Sequence, residues 1–463
     1  MANNRIIRVA AMSDSPKLHS GFGVVAAELY RGFHEAGMEL HALGFMDMEH
    51  DYNHQLPYMF YPTTIFDDLA HQTYSFFLQR IKPDVIFILT DPGNLCMYAE
   101  GVVHKQKATY IRHGREFTPP IVAYTPIEGK PIMELDRRGF DCVMQTGGKI
   151  AVYNETALRT VERQFPDVAK HMAIVNHGLD HSNFRRYSDE ERRELRKLVG
   201  LDDYFVIGSV GVNKRTKGFA EMIYAARYLR EIGQDKGIKF YCHTNPNEER
   251  MYGYKLTEMA SENWDMQHPG GVADMFLWKQ VRHQENYYLG VSRDNGTIEQ
   301  LGQIAGQIPD SPEKRGLLFA HYDYISIMNC LDLYVDLSQI EGWGLPVGEA
   351  MACGVPTIMV NDHSVREEIY QGGVHMIEPI PERLWPTWHR GARLVTADPH
   401  EVGRAILKLK ADPILRQALS DAGQKVAQKY SWAKSREQMI SLVTEAAEMV
   451  FNEDEAYKEE RGG

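Results

Sequence analysis

No stretch of about 18 apolar residues, the length a bilayer-spanning helix needs, occurs anywhere in the chain. The opening MANNRIIRVAAMSDSPK is apolar over too short a run, too soon interrupted, for a secretory leader. A transmembrane protein is therefore not expected. Cysteine is scarce: Cys96, Cys142, Cys242, Cys330 and Cys353 are odd in number, widely spaced and form no Cys-x-x-Cys pair. That argues against a disulfide framework or a zinc site and for reduced thiols in a cytoplasmic setting, compatible with peripheral attachment to a membrane. Positive charge is in deficit, 51 Lys and Arg against 63 Asp and Glu, for a net charge of −12. A chain of that sign repels polyanions, so nucleic acid is disfavoured as a partner, although a local basic groove stays open. Internal repeats and low-complexity tracts are lacking as well.

What is present is 463 residues of ordinary globular composition, 43% apolar and 25% charged, enough for two to three domains at roughly 150 residues each. Short apolar runs ending in small or polar residues alternate with stretches of helical period, the signature of parallel α/β architecture. The first unit reads as strand Arg5–Met12, a polar loop, a helix over Val24–Ala36 ended by Gly37, and strand Glu39–Phe45. Further strands are expected at Asp84–Thr90, Ile121–Thr125 and Met172–Asn176. Residues 1–185 hold 18 basic and 21 acidic side chains, so most of the acidity lies beyond them.

Near residue 185 the composition changes to a dense charge run, NFRRYSDEERRELRKLVGLDD, which reads as a solvated helix leading into a second domain. Alternation then resumes with strand Phe205–Val210, helix Ala220–Arg230 and strands Lys239–His243, Leu317–Ala320 and Leu333–Leu337. Helix Pro346–Ala352 and strand Thr357–Val360 follow. Residues 245–315 are read only as helices and loops covering one end of the second sheet. Met439, Ile440, Val443, Ala446, Ala447 and Val450 give the last helix one apolar stripe, and the tail NEDEAYKEERGG is expected to fray.

The most informative stretch is LSQIEGWGLPVGEAMACGVPTIMVNDHSVREE, Leu337–Glu368. A strand stops, a Gly-x-Gly turn follows, and Pro346 suits the first turn of a helix whose free N–H groups point back at the strand end. In an open parallel sheet that place is a ready anion site, and glycines let a ligand approach the backbone closely. Glu341 and Glu349, separated by seven residues, are able to face one ligand and accept hydrogen bonds from sugar hydroxyls. On spacing alone, a capping glutamate plus a surface glutamate is an equally good account.

The Glu-x7-Glu arrangement in EGWGLPVGEAMACGVP resembles the signature of retaining GT-B glycosyltransferases of the family 4 type, glycosyl transferases group 1. VNHGLDHSNF (Val175–Phe184) is similar to that family's interdomain stretch, and YSW (Tyr430–Trp432) precedes the final helix as it does there. The resemblance implies two Rossmann-like domains facing a central cleft: residues 1–185 on the acceptor side, and 186–434 binding a nucleoside-diphosphate sugar. The C-terminal helix, 435–463, crosses back to the first domain.

It also implies a retaining transfer of a sugar to an acceptor hydroxyl by a front-face mechanism, with no cofactor and no metal. Developing charge on the leaving diphosphate calls for fixed cations. GVNKRTKGF (Gly211–Phe219) supplies them: Lys217 matches the family's lysine, while Val212 stands at its arginine position, leaving Arg215, with Lys214 behind it, as replacement. In this reading Lys217, Arg215 and Glu341 are catalytic. Glu349, Gly342, Gly344, Leu345, Pro346 and Asn213 line the donor, with Gly21 and Gly23 of HSGFGVVAAEL.

HSGFGVVAAEL alone would also suit a dinucleotide fingerprint or a structural turn. Glu128 of VAYTPIEGKPI is an acceptor-side candidate or a turn glutamate beside Gly129; the family's nearby histidine has no counterpart between His113 and His171. Asp332 and Asp336 have the wrong spacing for an Asp-x-Asp metal motif. The donor base, the sugar, the acceptor and any homo-oligomer are not legible. An epimerase or phosphorylase on the same fold, a silent partner subunit and a DNA-directed transferase are the rival readings.

Overall fold

The computed structural model describes residues 5–18, 20–47, 56–63, 67–247, 253–262, 271–278, 324–361, 365–380 and 394–460. They form two compact units: the first runs to Gly178 and resumes at Ser431, and the second runs from Leu179 to Tyr430.

The first unit is a seven-stranded, wholly parallel sheet in the order β3-β2-β1-β4-β7-β8-β9. Its strands are β1 (Arg8–Asp14), β2 (Glu39–Phe45), β3 (Met59–Pro62), β4 (Val85–Leu89), β7 (Ile121–Tyr124), β8 (Lys149–Val152) and β9 (Met172–Ile174). Helices cover both faces, so central strands are apolar throughout, as in the fully buried Val-Ile-Phe-Ile-Leu of β4. The expected first helix begins three residues early, over Gly21–Glu35, because the Ser20 side chain accepts from the Gly23 N–H and caps it. Gly37 follows at φ +78°. A hairpin of β5 (Tyr110–Arg112) and β6 (Arg115–Phe117) has no counterpart in the sequence reading.

The final helix, Trp432–Glu460, packs on this first unit, burying Met439, Val443, Ala446, Ala447 and Val450. The expected fraying of the tail is overturned. The helix continues through NEDEAYKEE, and Asp454 is fully buried against Arg112, whose Nε donates at 2.9 Å, with Arg115 3.4 Å away.

The second unit is a six-stranded parallel sheet in the order β12-β11-β10-β13-β14-β15. Its strands are β10 (Phe205–Val210), β11 (Ile238–His243), β12 (Phe276–Trp278), β13 (Leu333–Asp336), β14 (Thr357–Val360) and β15 (His375–Ile377). Strand β12 and a short helix, Leu256–Ser261, lie in the region read as helices and loops. The strand expected at Leu317–Ala320 lies outside the described residues. The charge run does form a helix, Asp189–Val199, opened by a Ser188/Glu191 capping box and closed by Gly200 at φ +71°. It is not wholly solvated: Arg196 is buried, and with Arg192 it grips Asp332 at 2.9 and 2.7 Å. Among the described residues no helix is long and apolar enough to cross a membrane.

Candidate functional site

In the second sheet the chain leaves β10 on one side and reaches its neighbour β13 only after building β11 and β12. Strand order reverses there, and in doubly wound sheets ligands bind outside the carboxyl ends of strands at such a reversal. Two loops meet at this point, Gly211–Gly218 after β10 and Leu337–Gly344 after β13.

They are joined by their own backbones. The Gln339 N–H donates to the Thr216 carbonyl at 2.7 Å, and the Gln339 side chain donates to Glu221 at 3.0 Å. Gly218 takes φ +69°, and a Cβ there would lie 2.3 Å from the Leu337 carbonyl oxygen, so only glycine permits so close an approach. This stitching brings together side chains 124 residues apart: Lys217 Nζ donates to Glu341 Oε1. Both are partly exposed, on a one-turn helix over Arg215–Lys217 and in the turn ahead of helix Leu345–Ala352 respectively.

The turn that carries Glu341 is anchored from below. Arg366, fully buried, donates to Asp336 Oδ1 at 2.8 Å and to the Ser338 carbonyl at 2.6 Å. Asp336 also accepts the Ser338 N–H at 2.9 Å. Burial alone would push the Asp336 carboxyl up, but the Arg366 guanidinium, then Lys217 and the Ser338 N–H, outweigh it and hold the group below its ordinary range. At the far end Gly344 caps the helix at φ +82°, its carbonyl accepting from the Tyr370 hydroxyl at 2.9 Å. Gly342 is buried in the turn, and Leu345 and Pro346 form the first helical turn. Glu349 follows within that helix, 9% exposed, and accepts from the Tyr324 hydroxyl at 2.7 Å.

Two of the remaining sequence candidates share the Gly211–Gly218 loop with Lys217. Arg215 is exposed, its guanidinium 5.5 Å from the centre of the Tyr254 ring. Asn213 is 1% exposed, and its amide is engaged with backbone: it donates to the Tyr254 carbonyl at 2.7 Å and accepts the Tyr254 N–H at 3.1 Å. That pairing shapes the loop holding Arg215 and Lys217. Gly21, Gly23 and Glu128 belong to the first unit. A Cβ on Gly23 would sit 2.3 Å from the Leu18 carbonyl oxygen, so this glycine is required by the chain's own turn, whereas Gly21 has nothing within 4 Å. Glu128, half-buried, lies in the loop after β7.

Asp332 and Asp336 do not form a ligand pair, since each is held by arginine. Among the described residues no group of three or more His, Cys, Asp or Glu is placed to hold a metal ion. Sequence reasoning missed Arg366, Gln339 and Tyr324. Arg366 stood in the quoted motif with no spacing rule to mark it, and Tyr324 carried no local signal.

Comparison with known proteins bears on the same stretch. Residues 317–426 match the family model described as Glycosyl transferases group 1. The D-inositol 3-phosphate glycosyltransferase of Corynebacterium urealyticum is 21% identical over 301 residues, 65% of this chain. The chain spans 57% of that relative's length. Among solved structures, Anabaena HepE in complex with UDP and glucose aligns with a TM-score of 0.63 at 13% identity, over 95% of this chain and 100% of that one. The sucrose-phosphate synthase of Thermosynechococcus elongatus aligns with a TM-score of 0.58 at 14% identity, over 95% and 99%. The chain thus has the GT-B fold and carries a glycosyl transferases group 1 domain, in which Glu341 and Glu349 both lie.

Proposed function

We propose that this protein is a retaining glycosyltransferase that moves a sugar from a nucleoside-diphosphate sugar to an acceptor hydroxyl without a metal ion. The observation that carries the reading is the meeting of Lys217 and Glu341 at the strand reversal between β10 and β13, one turn ahead of a helix N-terminus. A cation, free N–H groups and two carboxylates at one sheet edge suit a ligand that is diphosphate at one end and polyol at the other. HepE, of like fold, was solved with UDP and glucose, which makes uridine the first base to try.

In this scheme the acceptor oxygen bonds to the anomeric carbon on the face from which the phosphate departs. The carbon–phosphate oxygen bond breaks, and the acceptor proton passes to the departing phosphate. Lys217 and the Leu345–Ala352 helix end stabilise the charge that grows on the leaving diphosphate. Arg215 swings from Tyr254 to add a second cation. Glu341 orients sugar hydroxyls and Glu349 holds the ribose diol. No protein nucleophile is required, and the free cysteines fit work in the cytoplasm.

Thermal-shift screening against uridine-, guanosine-, adenosine- and thymidine-diphosphate sugars tests the reading. One of them is expected to raise the melting temperature, and NMR of the product to report the donor's anomeric configuration. Stabilisation by none of the panel, or an inverted product, would overturn it.

A further inference from the structure

We infer that Tyr324 is a positioning residue for donor binding: its hydroxyl, donated to Glu349 Oε2, fixes the carboxylate that takes the ribose diol. This rests on the function proposed above and names a residue that neither the motif nor the spacing contains.

The argument starts from burial. A carboxylate that is 9% exposed has lost most of its water, and its desolvation must be offset by hydrogen bonds. Tyr324, at the start of helix Tyr324–Cys330, offers a neutral donor at 2.7 Å. Burial, reinforced by the Glu349 charge, pushes that phenol well above its ordinary value, so it stays protonated and remains a donor.

The phenol is held in place from two further elements. Phe184 meets its ring edge-on at 5.9 Å, and His243 at the end of β11 meets it at 5.5 Å. His243 is fixed in turn by the Tyr241 hydroxyl, 2.8 Å from its Nδ1. Strand β11 lies beside β10, whose following loop carries Lys217. A ring gripped on both sides places its oxygen without rotational freedom, and through it Glu349 presents one geometry to a diol. A merely structural hydrogen bond would tie the helix down and leave affinity for the donor alone.

Tyr324→Phe keeps both ring contacts and removes only the hydroxyl. UDP, GDP, ADP and TDP binding is measured by calorimetry for the wild type, Tyr324→Phe, Glu349→Gln and the double variant, with turnover of the matching donor and melting curves alongside. The nucleotide held by the wild type should bind about 5- to 20-fold more weakly to Tyr324→Phe, with donor KM raised to match and kcat within about twofold. The double variant should bind no more weakly than Glu349→Gln, because the two groups act as one. Wild-type affinity in Tyr324→Phe alongside weakened Glu349→Gln, or fully additive losses, would overturn the inference. Wild-type affinity in Glu349→Gln would instead overturn the donor assignment beneath it, as would a wild type that binds none of the four.

Discussion

The ammonium of Lys217 donates to the carboxylate of Glu341, joining the loops that follow the neighbouring strands β10 and β13. In the proposed reading, a diphosphate at the helix end at Leu345 would offer the lysine a more highly charged acceptor and release Glu341 for hydroxyl groups.

Lys217→Ala is therefore expected to slow turnover more than it weakens binding. Removing a fixed cation from a developing anion costs about 10²- to 10³-fold in kcat, while donor KM should change by less than about fivefold. Steady-state kinetics with the donor identified by thermal shift provides the measurement. Equal losses in kcat and affinity, or none, would remove Lys217 from its place beside the leaving group.

The same pair illustrates what could be read in advance. Gly344, Pro346 and the Glu-x7-Glu spacing are local, and their positions on a strand-turn-helix follow from backbone preferences acting over a few residues. The two sheets were legible for the same reason, since buried parallel strands such as Val-Ile-Phe-Ile-Leu are continuous apolar runs. Strands of three or four residues at the sheet edges, β3, β12 and β15, are too short to show alternation against their flanks. Arg366, Tyr324 and Asp454 were illegible because their roles are set by partners 25 to 342 residues away. A charge in a sequence reads as solvated until its counter-ion is known.

Arg366 offers a second test. With both oxygens of its turn engaged, Arg366→Met leaves Asp336 buried without its cation, which costs about 3–5 kcal/mol. Because the Asp336 carboxyl is held below its ordinary value, its stabilising contribution is present above the unfolded value of about 3.9 and lost as pH falls through the depressed one. Urea unfolding should therefore show a large deficit for Arg366→Met at neutral pH that narrows under acid. The double change Arg366→Met with Asp336→Asn should recover part of it. A single variant as stable as the wild type would show that the turn does not depend on this pair.

His177 supplies a pH signature for the first unit. It is 4% exposed, its Nδ1 lies 2.7 Å from the Tyr124 hydroxyl, and burial holds the imidazole down to about 3 from an ordinary 6.5. Between those values the unfolded chain binds a proton that the folded one refuses. The favourable contribution is complete above about pH 6.5 and falls by about 1.4 kcal/mol for each unit below it. His177→Phe, which keeps a ring between Tyr153 and Trp432, should flatten the fall in melting temperature between about pH 7 and about pH 5. Parallel pH profiles for the two proteins would show that acid acts elsewhere.

Asp454 tests whether the last two turns of the C-terminal helix are held by charge. Its side chain is wholly buried, Arg112 bonds it at 2.9 and 2.8 Å, and Arg112 reaches on to Asp84, which also accepts the Arg8 N–H at 2.8 Å. Burial would raise the Asp454 carboxyl, but the Arg112 hydrogen bond and charge, with His113 and Arg115, hold it below the ordinary range. Asp454→Ala removes the buried acceptor that Arg112 and Arg115 share, leaving Arg112 with Asp84 and Arg115 with Glu453, and should cost about 1–3 kcal/mol, while Asp454→Asn, which keeps an acceptor, should cost less. Limited proteolysis should then cut Asp454→Ala near Glu453 well before the wild type, since the segment beyond Val450 buries little else. Equal protection in all three proteins would mean that the apolar stripe alone secures the helix to its end.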